Sequence, residues 1–191
     1  MKEALSRAGV FERVRQGPGG GARTHGRAAT IGPAVYAARM RTPFAVLGIR
    51  TTATVVTGID YLPPRERAQA PTDALAERAC RQLERYLADP QFRFTLPLAP
   101  GGTAFRQKVW QALAQIPVGE SRTYGELARQ LRSAPRAIGG ACGANPIALV
   151  IPCHRVVGTH GSLGGFMGVT EGDPIAIKRW LLAHEGYRFG A

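Results

Sequence analysis

Cysteine is scarce in this chain, with three in 191 residues, at positions 80, 142 and 153. They are too few and too scattered for a disulfide framework, and no C-x-x-C or H-x-x-x-H pair offers zinc-site spacing. Long apolar runs are missing too, since none approaches the ~20 residues a membrane-spanning helix needs. A reducing, intracellular, cytoplasmic setting with no membrane partner is therefore expected. Acidic residues are few: 13 Asp and Glu face 25 Lys and Arg, a net charge of +12. A small basic protein is drawn to polyanions, nucleic acid first. Residues 1–39 hold seven of the basic residues against two acids, so +5 belongs to that segment and +7 to residues 40–191. Hydrophobic content of 45% with 20% charged residues is ordinary for a globular protein.

The chain divides by composition into three stretches. Residues 1–39 contain "GPGGGARTHGR" without a sustained apolar period, which predicts a disordered basic extension, with Met40 as an alternative start of the folded protein. Over residues 40–99, "TPFAVLGIR" and "ATVVTGIDYL" predict a hairpin. "PTDALAERACRQLERYLAD" then predicts a helix with Ala76, Cys80, Leu83 and Leu87 on its apolar stripe, and "QFRFTLPLAPGG" a short strand and linker. Residues 100–191 open on an amphipathic helix, "TAFRQKVWQALAQI", whose apolar face is Phe105, Val109, Ala112, Leu113 and Ile116.

The signals then become denser. Thr123 with Glu126 three residues on predicts a capping box starting the helix "YGELARQL". The polar break "RSAP" separates it from "RAIGGACGA", and two short helices across a tight turn read as a helix-turn-helix. Gly139, Gly140 and Gly143 each cost that second helix up to ~1 kcal/mol relative to alanine. Either close packing on the neighbouring helix or close approach of a partner such as a DNA groove would account for them. "IALVI" is strand-like, "GTHGSLGGFMG" a glycine-rich loop, and "DPIAIKRWLLAHEG" a last helix with glycine beyond its end. The fold class expected is α/β (α+β): a small strand-rich N-terminal domain and a mostly helical C-terminal domain.

"IPCHRVV", residues 151–157, sets Cys153 beside a histidine and an arginine. A free thiol near neutral pH is only a few per cent ionised, and cationic neighbours help it become a thiolate. A cysteine hydrolase needs a base in reach of its nucleophile, yet adjacent side chains of an extended segment point to opposite faces. Cys153 and His154 could then cooperate only across a turn or through a bridging water. A basic chain, a helix-turn-helix and a reactive thiol point together to a thiol acting on DNA.

"IPCHRVV" resembles the acceptor motif of the O6-alkylguanine-DNA alkyltransferases, also called methylated-DNA–protein-cysteine methyltransferases. The similarity runs from "FRQKVWQALAQIPVGESRTYGELA" through "RAIGGACGANP" and "GSLGGF" to "KRWLLAHEG", covering most of residues 103–189 in order. It implies direct-reversal repair, in which the alkyl group of O6-alkylguanine in double-stranded DNA passes irreversibly to the protein's own cysteine, one lesion per molecule. O4-alkylthymine is a second expected substrate, and a monomer needing no cofactor and no metal is implied.

The resemblance also implies site residues. Cys153 is the acceptor, His154 its base through a water, and Glu185 the carboxylate holding His154. Tyr124 protonates the departing guanine at N3, and Asn145 braces the active-site turn. Arg136 fills the gap a flipped nucleotide leaves, and Thr123, Tyr124, Ala137, Gly139 and Gly140 complete the DNA-binding set. Val156, Phe166, Met167 and Cys142 are the expected pocket residues. Phe166 stands where many relatives have tyrosine, and Met167 where a smaller residue is common. Tryptophan would replace the acceptor in alkyltransferase-like proteins that bind the lesion without repairing it; this chain has Cys153.

Overall fold

The two β-branched runs pair as predicted: β2 (Val46–Thr51) and β3 (Val56–Leu62) are antiparallel, with Ile49 opposite Ile59. The structure, a computed structural model, describes residues 35–189, so the extension expected over residues 1–34 lies outside the described residues. The remainder of that expectation needs correction. A strand β1 (Ala38–Arg41) pairs antiparallel with β2, placing Ala38 opposite Ile49, and Ala38 is fully buried. Tyr36 lies so close over Gly48 that a Cβ there would sit 2.5 Å from its ring. The folded chain thus begins ahead of Met40. Its strand signal was obscured because β1 is only four residues long and carries Arg39 and Arg41; on its outer side Arg39 makes a two-way backbone bridge with Gln69.

Helix α1 (Ala74–Ala88) lies against this sheet. Asp73 caps it, accepting from the Ala76 amide at 2.8 Å. Its buried face is Ala76, Ala79, Leu83 and Tyr86, while Cys80 and Leu87 of the predicted stripe are only half-buried beside the core. The predicted strand after α1 does not form. Residues 91–100 leave α1 through a turn and touch β3 at one parallel bridge, Val56 N–H to Pro97 O and Ala99 N–H to Val56 O. Pro97 and Pro100 lack the donors that a ladder needs.

The second half is helical. Thr103 caps α2 (Ala104–Leu113), which buries Val109, Trp110 and Leu113 but leaves Phe105 38% exposed, against the predicted face. Thr123 and Glu126 form the predicted capping box at α3 (Tyr124–Leu131). Arg132, at φ 51°, closes α3 in the left-handed conformation. Helix α4 (Pro135–Gly143) follows with proline in its first turn, so α3 and α4 form the helix-turn-helix. The Trp110 indole N–H donates to Ala141 O at 2.9 Å, fastening α4 to α2.

"IALVI" is a buried turn and not a strand. Leu149 has φ 68°, the Ile151 N–H donates to Ile147 O, and Ile147, Ala148, Leu149 and Ile151 are all buried. An apolar run marks burial, and here a turn is what is buried. A two-residue parallel pairing was not anticipated: β4 (Arg122–Thr123) lies beside β5 (Val156–Val157), setting the start of α3 against the chain leaving the cysteine motif. Helix α5 (Asp173–His184) closes the chain, with Gly186 at φ 78° beyond its end. One hydrophobic core runs continuously through both halves. Among the described residues no helix is long and apolar enough to cross a membrane.

Candidate active site

Cys153, His154 and Arg155 form a 3-10 turn entered from Pro152. That turn is the geometry that lets adjacent residues share a site. Asn145, just beyond α4, holds it: its amide donates to Ile151 O at 2.8 Å and to Cys153 Sγ at 3.2 Å, while its oxygen accepts from the Ile147 amide. Cys153 borders a cavity of about 360 Å³ whose other walls include Tyr124, Gly139, Cys142, Phe166 and Met167. That size suits a small ring system. Val156, expected in the pocket, is not in the wall. It is fully buried in β5, and its carbonyl accepts from Lys178.

Behind Cys153 lies a buried charged cluster. Glu185, immediately after α5, accepts at Oε1 from His154 Nε2 (2.9 Å), Tyr86 Oη (2.8 Å) and Arg155 Nη2 (2.8 Å), and at Oε2 from Arg155 Nε (2.8 Å). Burial works to raise the Glu185 carboxyl, but His154 and Arg155 overcome it and hold it well below the usual carboxylate range. An ionised carboxylate only accepts, so Nε2 carries the proton of His154. Burial keeps His154 below its ordinary value against the pull of Glu185. A neutral, Nε2-protonated imidazole leaves a lone pair on Nδ1, which is buried without a partner among the described residues.

The structure corrects the expected source of thiol activation. The Arg155 guanidinium serves Glu185 and Ile116 O instead of Cys153. Burial pushes the Cys153 thiol up, opposed by the Asn145 amide and the Lys178 ammonium. The resting group is therefore a thiol that must give up its proton during reaction.

Lys178, on α5, was not anticipated. Fully buried, it donates to the carbonyls of Val156, Leu163 and Gly165 at 2.5, 2.5 and 3.0 Å, and so ties the glycine-rich loop to β5. Burial brings it down to about 8. Tyr124 donates from Oη to Gly165 O at 2.9 Å, and burial pushes its hydroxyl up. Gly164, at φ 65°, could not be another residue without cost: a Cβ would lie 2.8 Å from the Tyr124 ring. Phe166 and Val169 pair across a two-residue turn, with Met167 at φ 53° and 43% exposed at the cavity wall.

The helix-turn-helix borders the same cavity through Pro135, Gly139 and Cys142. Arg136, Ala137 and Gly140 are exposed on α4. A Cβ at Gly140 would meet nothing within 4 Å, and one at Gly139 would make only ordinary contact with Tyr124. Packing inside the protein therefore does not require these glycines. Thr123, by contrast, has its hydroxyl engaged with Glu126 in the capping box.

The chain is similar to known proteins in sequence and in fold. The family described as "6-O-methylguanine DNA methyltransferase, DNA binding domain" matches residues 104–187. A methylated-DNA–protein-cysteine methyltransferase of Methanosarcina acetivorans is 39% identical over 135 residues, covering 67% of this chain and 83% of that protein. Its Salmonella typhimurium namesake is 53% identical over 95 residues, covering 49% of this chain and 53% of that protein. The crystal structure of Mycobacterium tuberculosis OGT in complex with DNA superposes with a TM-score of 0.66 at 39% identity, over 77% of this chain and 90% of that one.

Proposed function

This chain belongs to the methylated-DNA–protein-cysteine methyltransferases, and from that premise we propose that Cys153 takes the alkyl group of O6-alkylguanine in double-stranded DNA. Direct-reversal repair by alkyl transfer to a cysteine is the family's activity. The observation that carries the assignment is the juxtaposition of Cys153 at the cavity wall with a neutral His154 whose Nδ1 lone pair is unpartnered.

The target atom is inaccessible inside a duplex, so the nucleotide must rotate out, at a cost of a few kcal/mol. Arg136, exposed in the first turn of α4, enters the stack and offsets part of that cost. Exposed Ala137 and the glycine face of α4 let the groove approach closely, while phosphate contacts supply most of the affinity without reading sequence.

The flipped base occupies the cavity between Tyr124 and Phe166. Sγ attacks the alkyl carbon in line; the carbon–sulfur bond forms as the carbon–O6 bond breaks, and that electron pair returns to the purine. The thiol proton passes to His154 Nδ1 through a bridging water, and Glu185 stabilises the resulting imidazolium. Tyr124 protonates the base at N3, and its hydroxyl then recovers the proton given up by the thiol. The charge therefore balances: one proton leaves sulfur and one joins guanine. The thioether has no leaving group that this site can activate, so each molecule acts once. O4-alkylthymine presents the same alkyl–oxygen bond and is a second substrate, and the protein works as a monomer.

The test is nucleoside analysis of a duplex containing O6-methylguanine after incubation with limiting protein. Guanine should appear as O6-methylguanine disappears, one per protein, with no further turnover. Retention of the duplex with its lesion unchanged would identify a lesion-binding protein instead.

A further inference from the structure

Resting on that reading, we propose that the N-terminal half completes the proton relay: Tyr86 of α1 is a positioning residue for Glu185 and thereby sets the basicity of His154. Tyr86 is 1% exposed, and its hydroxyl donates at 2.8 Å to the same Glu185 oxygen that accepts from His154 and Arg155. Of these three donors only Tyr86 comes from outside the C-terminal half. A carboxylate oxygen shared among donors has less charge to offer each, so the Tyr86 bond tempers the hold of Glu185 on the His154 proton.

Packing alone does not call for the hydroxyl. The ring lies against Phe94 and His184, with centroids at 5.5 and 5.3 Å, and a phenylalanine would fill the same space. The backbone carbonyl of Tyr86 also bonds His184 Nε2 at 2.9 Å, so side chain and main chain together fasten residue 86 to the end of α5. A second link joins the halves nearby: the Ile59 N–H donates to Pro146 O and the Ala148 N–H to Ile59 O, bracing the turn that Asn145 organises. The N-terminal half is built into the site at both places.

The other ionisable groups around the relay are Cys153 and Arg155 of the 3-10 turn, Lys178 and His184 of α5, and Tyr61 of β3. A Tyr86→Phe substitution leaves all of them in place. It removes one donor from Glu185, strengthens the carboxylate's pull on His154 and raises the pH at which His154 becomes protonated and unable to accept the thiol proton. The acid limb of the transfer rate therefore moves to higher pH, by roughly half a unit, a fraction of the about one to two units a whole charge-assisted bond represents. Replacing Tyr86 with a ring-fluorinated tyrosine makes the hydroxyl a stronger donor and moves the limb the other way.

The experiment is single-turnover methyl transfer across pH for the full chain, its Tyr86→Phe variant and the fluorotyrosine protein, with DNA affinity and Tm measured alongside. Opposite displacements of the acid limb support the role. An unmoved limb in a folded Tyr86→Phe protein overturns it, whatever happens to the plateau rate. If that variant does not fold, the fluorotyrosine protein decides alone: a downward displacement supports the role and an unmoved limb overturns it. A wild-type chain that transfers no methyl group would instead sink the reading on which the proposal rests.

Discussion

Replacing Glu185 with glutamine removes an anion in contact with two buried cationic or protonatable groups. Arg155 and His154 both bond it, and the Glu185 side chain is 1% exposed. Breaking a buried pair by neutralising one partner leaves an uncompensated charge, here the Arg155 guanidinium, at about 3–5 kcal/mol. For a chain of this size each kcal/mol moves Tm by about 2–4 °C, so Tm should fall by about 6–20 °C. The pH dependence of stability should change as well. Glu185 is held below its unfolded value, so its contribution is present above about pH 4.3 and lost as the medium becomes more acid. Buried His154 is also lowered, so its contribution is complete above about pH 6.5 and declines below it. Stability of the wild type should therefore rise with pH through the acid range, and the Glu185→Gln curve should lose its lower portion. Methyl transfer should slow at least about tenfold, since the base is no longer held. Duplex affinity should be nearly unchanged, because Glu185 is buried and does not line the cavity. Calorimetry across pH, single-turnover transfer and fluorescence anisotropy measure the three effects. An unchanged Tm with a wild-type rate would refute the buried cluster as both support and relay. Adding Arg155→Met to Glu185→Gln should recover part of the lost stability by removing the stranded charge.

Gly140→Ala should stabilise α4 by up to about 1 kcal/mol, because a methyl group there meets nothing in the protein. It should nonetheless weaken DNA binding; raised Tm with undiminished affinity would remove the close-approach role. Arg136→Ala should slow repair of duplex lesions more than reaction with a free O6-alkylated base, which needs no flipping, and equal losses would exclude a stack-filling role. A chain beginning at Met40 should melt several degrees lower than the full chain, because it loses the first half of β1 with fully buried Ala38. An unchanged Tm would show that β1 contributes no stability.

Local chemistry was legible in the sequence wherever neighbours along the chain decide the structure. The Thr123–Glu126 box, the break between α3 and α4, and the Gly186 stop all lie within a few residues of the groups they satisfy. Long-range partners were not legible. Tyr86 and Glu185 are 99 residues apart, and no local period reports that a tyrosine hydroxyl will meet a carboxylate. Lys178 reads as one charge on an amphipathic helix until three carbonyls, one from β5 and two from the glycine-rich loop, converge on it. "IALVI" was misread because apolar composition reports burial, and a turn pinned by Asn145 buries it as well as a strand would. Arg155 misled for the opposite reason. It is adjacent to the thiol's neighbour in sequence, but its guanidinium reaches the far end of α5. The cysteine motif and its family resemblance identified the acceptor region; the hydrogen bonds of Glu185 then gave the tautomer of His154.

The most direct test of the account is intact-mass spectrometry of the full chain after incubation with an O6-methylguanine duplex, followed by peptide mapping. The account predicts a gain of one methyl group per molecule, confined to the peptide bearing Cys153 and absent from a Cys153→Ala protein that still binds the lesion. An unchanged mass, or a methyl group on Cys142 or Cys80, would contradict it.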